Sequence, residues 1–309
     1  MAISRDQLAL AAFLTESTLA GGNAVGVRFS NRELDPLWGA GLRFALAALL
    51  LGIAMRVLRL PFPRGRALAG AAIFGALMFG ATFGLAYYAL VRIHAGLGQT
   101  LLALVPLATL LLAVAQRQER LRAASLVGTL LALAGVGLIS GLSSRESVPL
   151  LSLLATLGAV FCFAQATVLV RQFPPIHPVT LNAVGMATGA AVLIPLSALF
   201  GESLVVPERG ATWLALAYLV AVGSGVVFVL YAIVIRLWNA SRAAYGFVVT
   251  PVVTVLISAW LDDEPISSAL VFGGLLVLAG VYFGALRTAR EPAPCPQPEA
   301  TAVLAAPQK

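Results

Sequence analysis

Two fully ionisable side chains interrupt stretches that are otherwise apolar enough for hydrocarbon: Glu16 within LALAAFLTESTLAGG and Arg43 within GAGLRFALAALLLG. A charge at the bilayer centre costs about 2.5 to 3.5 kcal/mol on insertion scales, so a residue of this kind needs a partner or a task. Glu16 falls within roughly 3 Å of the midpoint of its stretch, at 1.5 Å rise per residue, and Arg43 lies a few residues to the other side of the centre of the next one. Two readings stand side by side: a structural Glu16–Arg43 ion pair, or Glu16 as a proton- or cation-binding group in a polar pocket. For Arg43 the structural reading is the expectation.

The neutral polar residues extend the pattern. Asn23 follows Glu16 by seven residues, two helical turns, and so shares its face. Gln165 holds the equivalent place in the second half of the chain. Tyr87, Gln99 and Thr100 fall toward one side of the hydrocarbon, and Tyr231 and Tyr245 toward the other, as two polar aromatic layers around a pocket. Helix-to-helix hydrogen bonding is the alternative for the amides, and an interfacial belt for the tyrosines. Pro106 and Pro251 each remove a backbone hydrogen bond inside an apolar stretch, which bends a helix beside the pocket. Trp38, Trp213, Trp238 and Trp260 sit near stretch ends and read as interface anchors.

Catalytic and metal chemistry finds no foothold. Every aspartate lies outside the apolar stretches, His94 and His177 sit at their ends, no H-E-x-x-H occurs, and Cys162 and Cys295 suggest neither a disulfide framework nor a thiolate site. The expectation is a protein that is not an enzyme and has no cofactor or metal.

The elements that position these residues follow from composition. Of 309 residues, 60% are hydrophobic and only 11% charged, with a mean hydropathy of +0.95. The solvent for most of the chain is lipid. A helix needs about 20 apolar residues to cross roughly 30 Å of hydrocarbon. Cutting at charges, prolines and polar clusters gives ten spans, near 8–28, 36–57, 67–90, 95–115, 121–141, 149–171, 178–200, 211–236, 240–261 and 266–286. Beyond Arg287 the proline-rich 288–309 reads as a disordered tail. The net charge of +7 does not point to nucleic acid, because the arginines sit between spans and form no binding motif. With both termini cytoplasmic, 14 of the 19 basic residues outside the spans lie on the cytoplasmic side. That asymmetry fixes the expected orientation in a bacterial inner membrane.

The chain also resembles itself. A shift of 145 residues pairs Gly80 with Gly225, Pro106 with Pro251, Glu119 with Glu264, Gly128 with Gly273 and Gly135 with Gly280, and a shift of 142 pairs Asn23 with Gln165 and Pro36 with Pro178. Residues 1–145 and 146–287 therefore read as two five-helix repeats. Five is odd, so the halves enter the membrane in opposite directions. The expected fold is an all-α membrane protein of ten helices in two inverted repeats.

With GGNAVGVRFS at 21–30, the Pro36 … Leu42-Arg43-Phe44 pattern, and in each half a proline, an acidic loop residue and two glycines, residues 8–287 resemble the EamA-type transporters of the drug/metabolite transporter superfamily. The resemblance implies ten helices, a central pocket, a small-molecule substrate and export of amino acids or other metabolites. Many relatives carry tryptophan where this chain has Ala20, and Glu16 is unusual among them, so the substrate does not transfer. The pocket residues suit a small amphipathic or zwitterionic compound, moved by alternating access and coupled to protons if Glu16 carries them. A passive channel or a membrane scaffold is the competing reading.

In a chain with Cys162 and Cys295 replaced by serine, cysteines at 119 and 264 should divide cleanly under an impermeant reagent in intact cells: 264 reacts and 119 does not. Equal labelling would contradict opposite entry of the two halves.

Overall fold

A computed structural model describes residues 5–90, 102, 104–118, 123–139, 150–238 and 268–283, with 242–243, 245–246, 249–250, 252–254 and 256–257 between the last two. Gln99, Thr100, Glu119, Pro251, Glu264 and the tail lie outside these residues. Among the described residues there is helix and no strand. Lipid offers no hydrogen-bond partner, so the backbone must satisfy itself within each segment.

The long helices are α1 (Arg5–Ser30), α2 (Pro36–Val57), α3 (Arg66–Ala89), α6 (Leu150–Leu169), α7 (Pro178–Leu199) and α8 (Gly210–Leu237). Five of them, α6 with its continuation to Gln172 included, are long and apolar enough to cross a membrane, and α1, at 26 residues, carries Glu16. Shorter helices are α4 (Val105–Ala115), α5 (Ala123–Ile139) and α9 (Ser268–Val281). Nine of the ten expected spans thus correspond to helices, while the stretch 240–261 is represented by scattered helical residues. The lipid-facing side is plain in the exposed Leu49, Ile53, Leu150, Leu154, Phe161 and Leu214.

The strongest packing joins α2 to α7 and α5 to α9. Both pairs run antiparallel and close through glycine. A Cβ on Gly135 of α5 would lie 2.6 Å from the Gly273 carbonyl oxygen, and one on Gly280 of α9 would lie 2.6 Å from that of Gly128. Gly135 and Gly280 are repeat partners, as are Gly128 and Gly273, so each contact is the image of the other. Gly75 of α3 meets the backbone of Gly185 in α7 in the same manner. Small residues let helices approach where burial of apolar surface supplies no drive.

Two helices are interrupted alike. In α3 residues Ala76–Ala81 form a π-helical segment, and in α8 residues Leu219–Val226 do so. Gly80 and Gly225, paired by the shift of 145, fall inside them. Between these segments the core is aromatic: Phe79 packs at ring-centroid distances of 5.1 Å on Phe44 and 4.8 Å on Phe228, and Phe44 lies 4.8 Å from Phe83.

At one end of the bundle, carboxylates cap helices across the chain. Pro36 opens α2, and the orphan N–H groups of Leu37 and Trp38 donate to the Glu202 carboxylate at 3.1 and 2.7 Å. In return Asp35 accepts from Ser203 N at 2.7 Å, and Trp38 Nε1 donates to the Val205 carbonyl at 2.7 Å. Glu33 accepts from the N–H groups of Glu208 at 2.7 Å and Arg209 at 3.3 Å, just before α8. The Thr212 side chain and these backbone donors hold the Glu33 carboxyl below its ordinary range. Three acidic residues thereby clasp the α1–α2 turn to the α7–α8 loop. At the opposite end Arg5 Nη2 donates to the Arg236 carbonyl at 3.3 Å, and His177 Nδ1 accepts from Val179 N at 3.3 Å as the cap of α7.

Thermal unfolding in detergent should separate open from closed glycine sites. Gly52, with nothing within 4 Å of an added Cβ, should gain roughly 0.4–1 kcal/mol on change to alanine, whereas Gly135→Ala and Gly280→Ala should each lose about 1–3 kcal/mol through overpacking. A neutral result at both tight sites would contradict the described α5–α9 contact. The clasp should also be acid-labile. A carboxyl whose folded pKa is depressed stabilises above its unfolded value, here 4.5, and that contribution fades as pH falls through the folded value. The midpoint of the wild type should drop with pH in that window, and Glu33→Gln should flatten the dependence; an unchanged slope in the variant would refute the clasp.

Candidate functional site

Arg43 is set by α2, whose small residues Gly39, Ala40, Gly41 and Ala47 bury its face against neighbouring helices. Its side chain is 1% exposed. The Nε–H donates to Ser224 Oγ at 2.7 Å, Nη2 donates to Asn23 Oδ1 at 3.5 Å, and the Tyr87 hydroxyl accepts from the guanidinium. Phe44 and Phe83 present ring faces to it at 5.3 and 5.6 Å. Tyr218 is near enough for its hydroxyl to feel the charge. The neighbours beyond α2 come from three helices: Asn23 from α1, Tyr87 and Phe83 from α3, Ser224 and Tyr218 from α8.

The α8 side of this cluster depends on the π-helical segment. Asn23 Nδ2 donates to the Gly223 carbonyl at 3.4 Å, and a Cβ on Gly223 would run into the Asn23 side chain. Tyr218 donates to the Leu19 carbonyl at 2.7 Å, across the ridge where Gly22 leaves room for its ring. Gly22 and Gly26 are therefore spacers for α8, as the glycine spacing in the sequence suggests.

Glu16 sits elsewhere, at 3% exposure on α1. Ser17 Oγ donates to its Oε2 at 3.4 Å, and Gly246 adjoins it so closely that an added Cβ would lie 3.0 and 3.2 Å from the two carboxylate oxygens. Tyr231 lies within electrostatic reach of it, with its hydroxyl 3.1 Å from Thr167 Oγ1. Among the described residues, then, the partners of Glu16 and Arg43 are separate sets. The ion pair weighed in the sequence is not among the contacts of either residue. Asn23 follows Glu16 by seven residues on α1, which puts the two clusters roughly 10 Å apart along the helix.

Two of the expected pocket residues, Gln165 and Tyr245, make hydrogen bonds to neighbouring helices. Gln165 is not brought to Asn23: its Oε1 accepts from Gln116 Nε2 at 2.9 Å, and Gln116 Oε1 accepts from Gln172 at 2.6 Å. This ladder ties α6 to the end of α4. Tyr245 donates to the Ser125 carbonyl at 2.7 Å and contacts Thr129 Oγ1 at 2.8 Å, which anchors it on α5. Pro106 is no mid-helix kink, because α4 begins at Val105 and Pro106 occupies its first turn, where no backbone bond is forfeited. Asn23, Tyr87 and Arg43 do converge.

Ser224, Tyr218, Gly223 and Gly246 went unmarked in the sequence. The one available signal was Ser224, a hydroxyl flanked by glycines in the most apolar long helix. Buried Asn182, which donates to the Pro178 and Phe228 carbonyls at 3.0 Å each, was also unmarked and joins α7 to α8.

Comparison with known proteins follows this geometry. The EamA-like transporter family matches twice, over residues 7–141 and 150–285. A probable terminal-alkyne amino-acid exporter of Streptantibioticus cattleyicolor is 30% identical over 263 residues, 82% of this chain and 86% of that protein. The uncharacterized inner membrane transporter YedA of Escherichia coli is 28% identical over 83% of this chain and 86% of its own. A probable amino-acid metabolite efflux pump of the same species is 27% identical over 85% and 89%. A crystal structure at 21% identity superposes with a TM-score of 0.76, covering 93% of this chain and all of the other, and shares the fold. The chain belongs to the EamA-like transporter family of the drug/metabolite transporter superfamily and is a membrane transporter.

Proposed function

We propose that the protein exports a small zwitterionic or amphipathic metabolite, an amino acid or close relative, across the bacterial inner membrane by alternating access, with Glu16 as the proton carrier. The observation that carries the proposal is the burial of one acidic and one basic side chain in separate clusters along α1, each floored by a glycine, Gly246 under Glu16 and Gly223 under Asn23. The names of the exporter and the efflux pump among the relatives favour amino-acid chemistry.

In the proposed architecture ten helices form two inverted repeats, residues 1–145 and 146–287, followed by a cytoplasmic tail, with both termini cytoplasmic. Antiparallel packing of the repeat partners α2 with α7 and α5 with α9, and the matched π-helical segments of α3 and α8, support it. Such a repeat gives two conformations of similar energy, open to opposite sides. A channel would need a continuous polar path, whereas the centre of this bundle is filled by Phe44, Phe79, Phe83 and Phe228.

A carboxyl taken out of water favours its neutral form. Glu16, bonded within the described residues only to Ser17, therefore gains from taking up a proton while occluded and from losing it when its cluster meets water. A proton moving inward on Glu16 exchanges for substrate moving outward.

In proteoliposomes preloaded with the twenty common amino acids, the wild type should release a subset when the outside is acidified. Glu16→Gln should abolish the response to the pH gradient while leaving counterflow of that subset largely intact. Unchanged pH-driven release in the variant would contradict the proton role, and no release by the wild type would contradict amino-acid export.

A further inference from the structure

We infer that Arg43 binds the carboxylate of the transported molecule, an inference that rests on the proposed export of amino-acid-like substrates. The guanidinium is a full charge held 1% exposed, and among the described residues its hydrogen-bond partners are neutral: Ser224 Oγ, Asn23 Oδ1 and the Tyr87 hydroxyl. Removing a cation from water costs several kcal/mol even after relaxation, and dipoles alone return only part of it. A buried arginine kept purely for structure is ordinarily matched by a carboxylate. Among the described residues the one intramembrane carboxylate, Glu16, belongs to another cluster.

The arrangement around the cation is that of a site awaiting an anion. A guanidinium is a planar fork of five donors that fits a carboxylate with two parallel bonds. Its contact with Asn23, at 3.5 Å against 2.7 Å for Ser224, is long and easily exchanged. Asn23 and Tyr218 are only partly buried, so they mark the side from which a ligand would approach, between α1 and α8. Gly223, in the π-helical segment, brings backbone rather than side chain against Asn23. Phe44 and Phe83, already stacked near the guanidinium, offer an apolar wall for the rest of the substrate.

A single guanidinium selects the class. A phosphate ester would call for several cations, and Arg43 is the only basic residue in the interior of the ten expected spans. The spacing of roughly 10 Å between the clusters exceeds the distance from carboxylate to ammonium within an α-amino acid, so Glu16 and Arg43 act on different ions. One carries the proton and the other holds the substrate.

The test uses the full-length protein in proteoliposomes loaded with an equimolar mixture of the twenty common amino acids and their α-carboxamides, with release read by mass spectrometry and leak from protein-free vesicles subtracted. The exported amino acids should leave at least about tenfold faster than their own amides, the loss expected for one bond to a charged group. Arg43→Lys should keep the preference with a raised KM, and Arg43→Gln should erase it while pH-driven exchange of any residual flux persists. Equal release of acids and amides by the wild type would overturn the inference and leave the export reading standing. Release of neither would overturn both. Should Arg43→Gln fail to give a monodisperse protein, the acid-to-amide ratio of the wild type decides alone.

Discussion

Hydrocarbon supplies no hydrogen bonds, and each polar group inside the bundle has to find its partner in the protein. The helices themselves are the first consequence. The second is the length to which their ends go for partners: the free N–H groups opening α2 are met by Glu202, beyond the far end of α7, and those before α8 by Glu33 in the α1–α2 turn. The third is the set of buried hydroxyl and amide bonds that stitch helix to helix, Tyr245 to α5, Asn182 to α8, Gln165 to Gln116. Among the described residues, Glu16 and Arg43 meet partners that do not match their charge.

Much of this was legible in the residues. The spans expected at 36–57 and 178–200 correspond to Pro36–Val57 and Pro178–Leu199, because proline opens each helix and the apolar run stops where polar residues begin. Glu16, Asn23 and Arg43 stood out because polar groups in apolar runs are costly. The carboxylate clasp was not legible, since Glu33 and Glu202 look like ordinary loop acids until the fold brings residues about 170 positions apart together. Ser224 was hidden by the glycines around it, which read as packing. The sequence correspondence of Gln165 with Asn23 does not bring the two amides together, because Gln165 lies against Gln116 while Asn23 lies against Arg43 and Gly223.

Both clusters are built on α1. Near its middle the helix buries a carboxyl beside Ser17 and Gly246, and two turns on it offers Asn23 to the guanidinium of α2. Both clusters are closed by α8 or by the stretch after it, with Tyr231 near the first and Tyr218, Gly223 and Ser224 at the second. A small displacement of α1 against α8 would therefore alter both at once. That mechanical linkage is what coupling of a proton to a substrate requires, and the glycines at 22, 26 and 223 let the two helices pack closely along the seam.

The account turns on Arg43 meeting an anion. A structure determined with an exported amino acid bound tests this most directly. The predicted result is a carboxylate about 2.7–2.9 Å from the guanidinium, with Asn23 released from Nη2 and the ligand's side chain against Phe83. A ligand bound elsewhere, with Arg43 still held by Ser224 and Asn23, would contradict it.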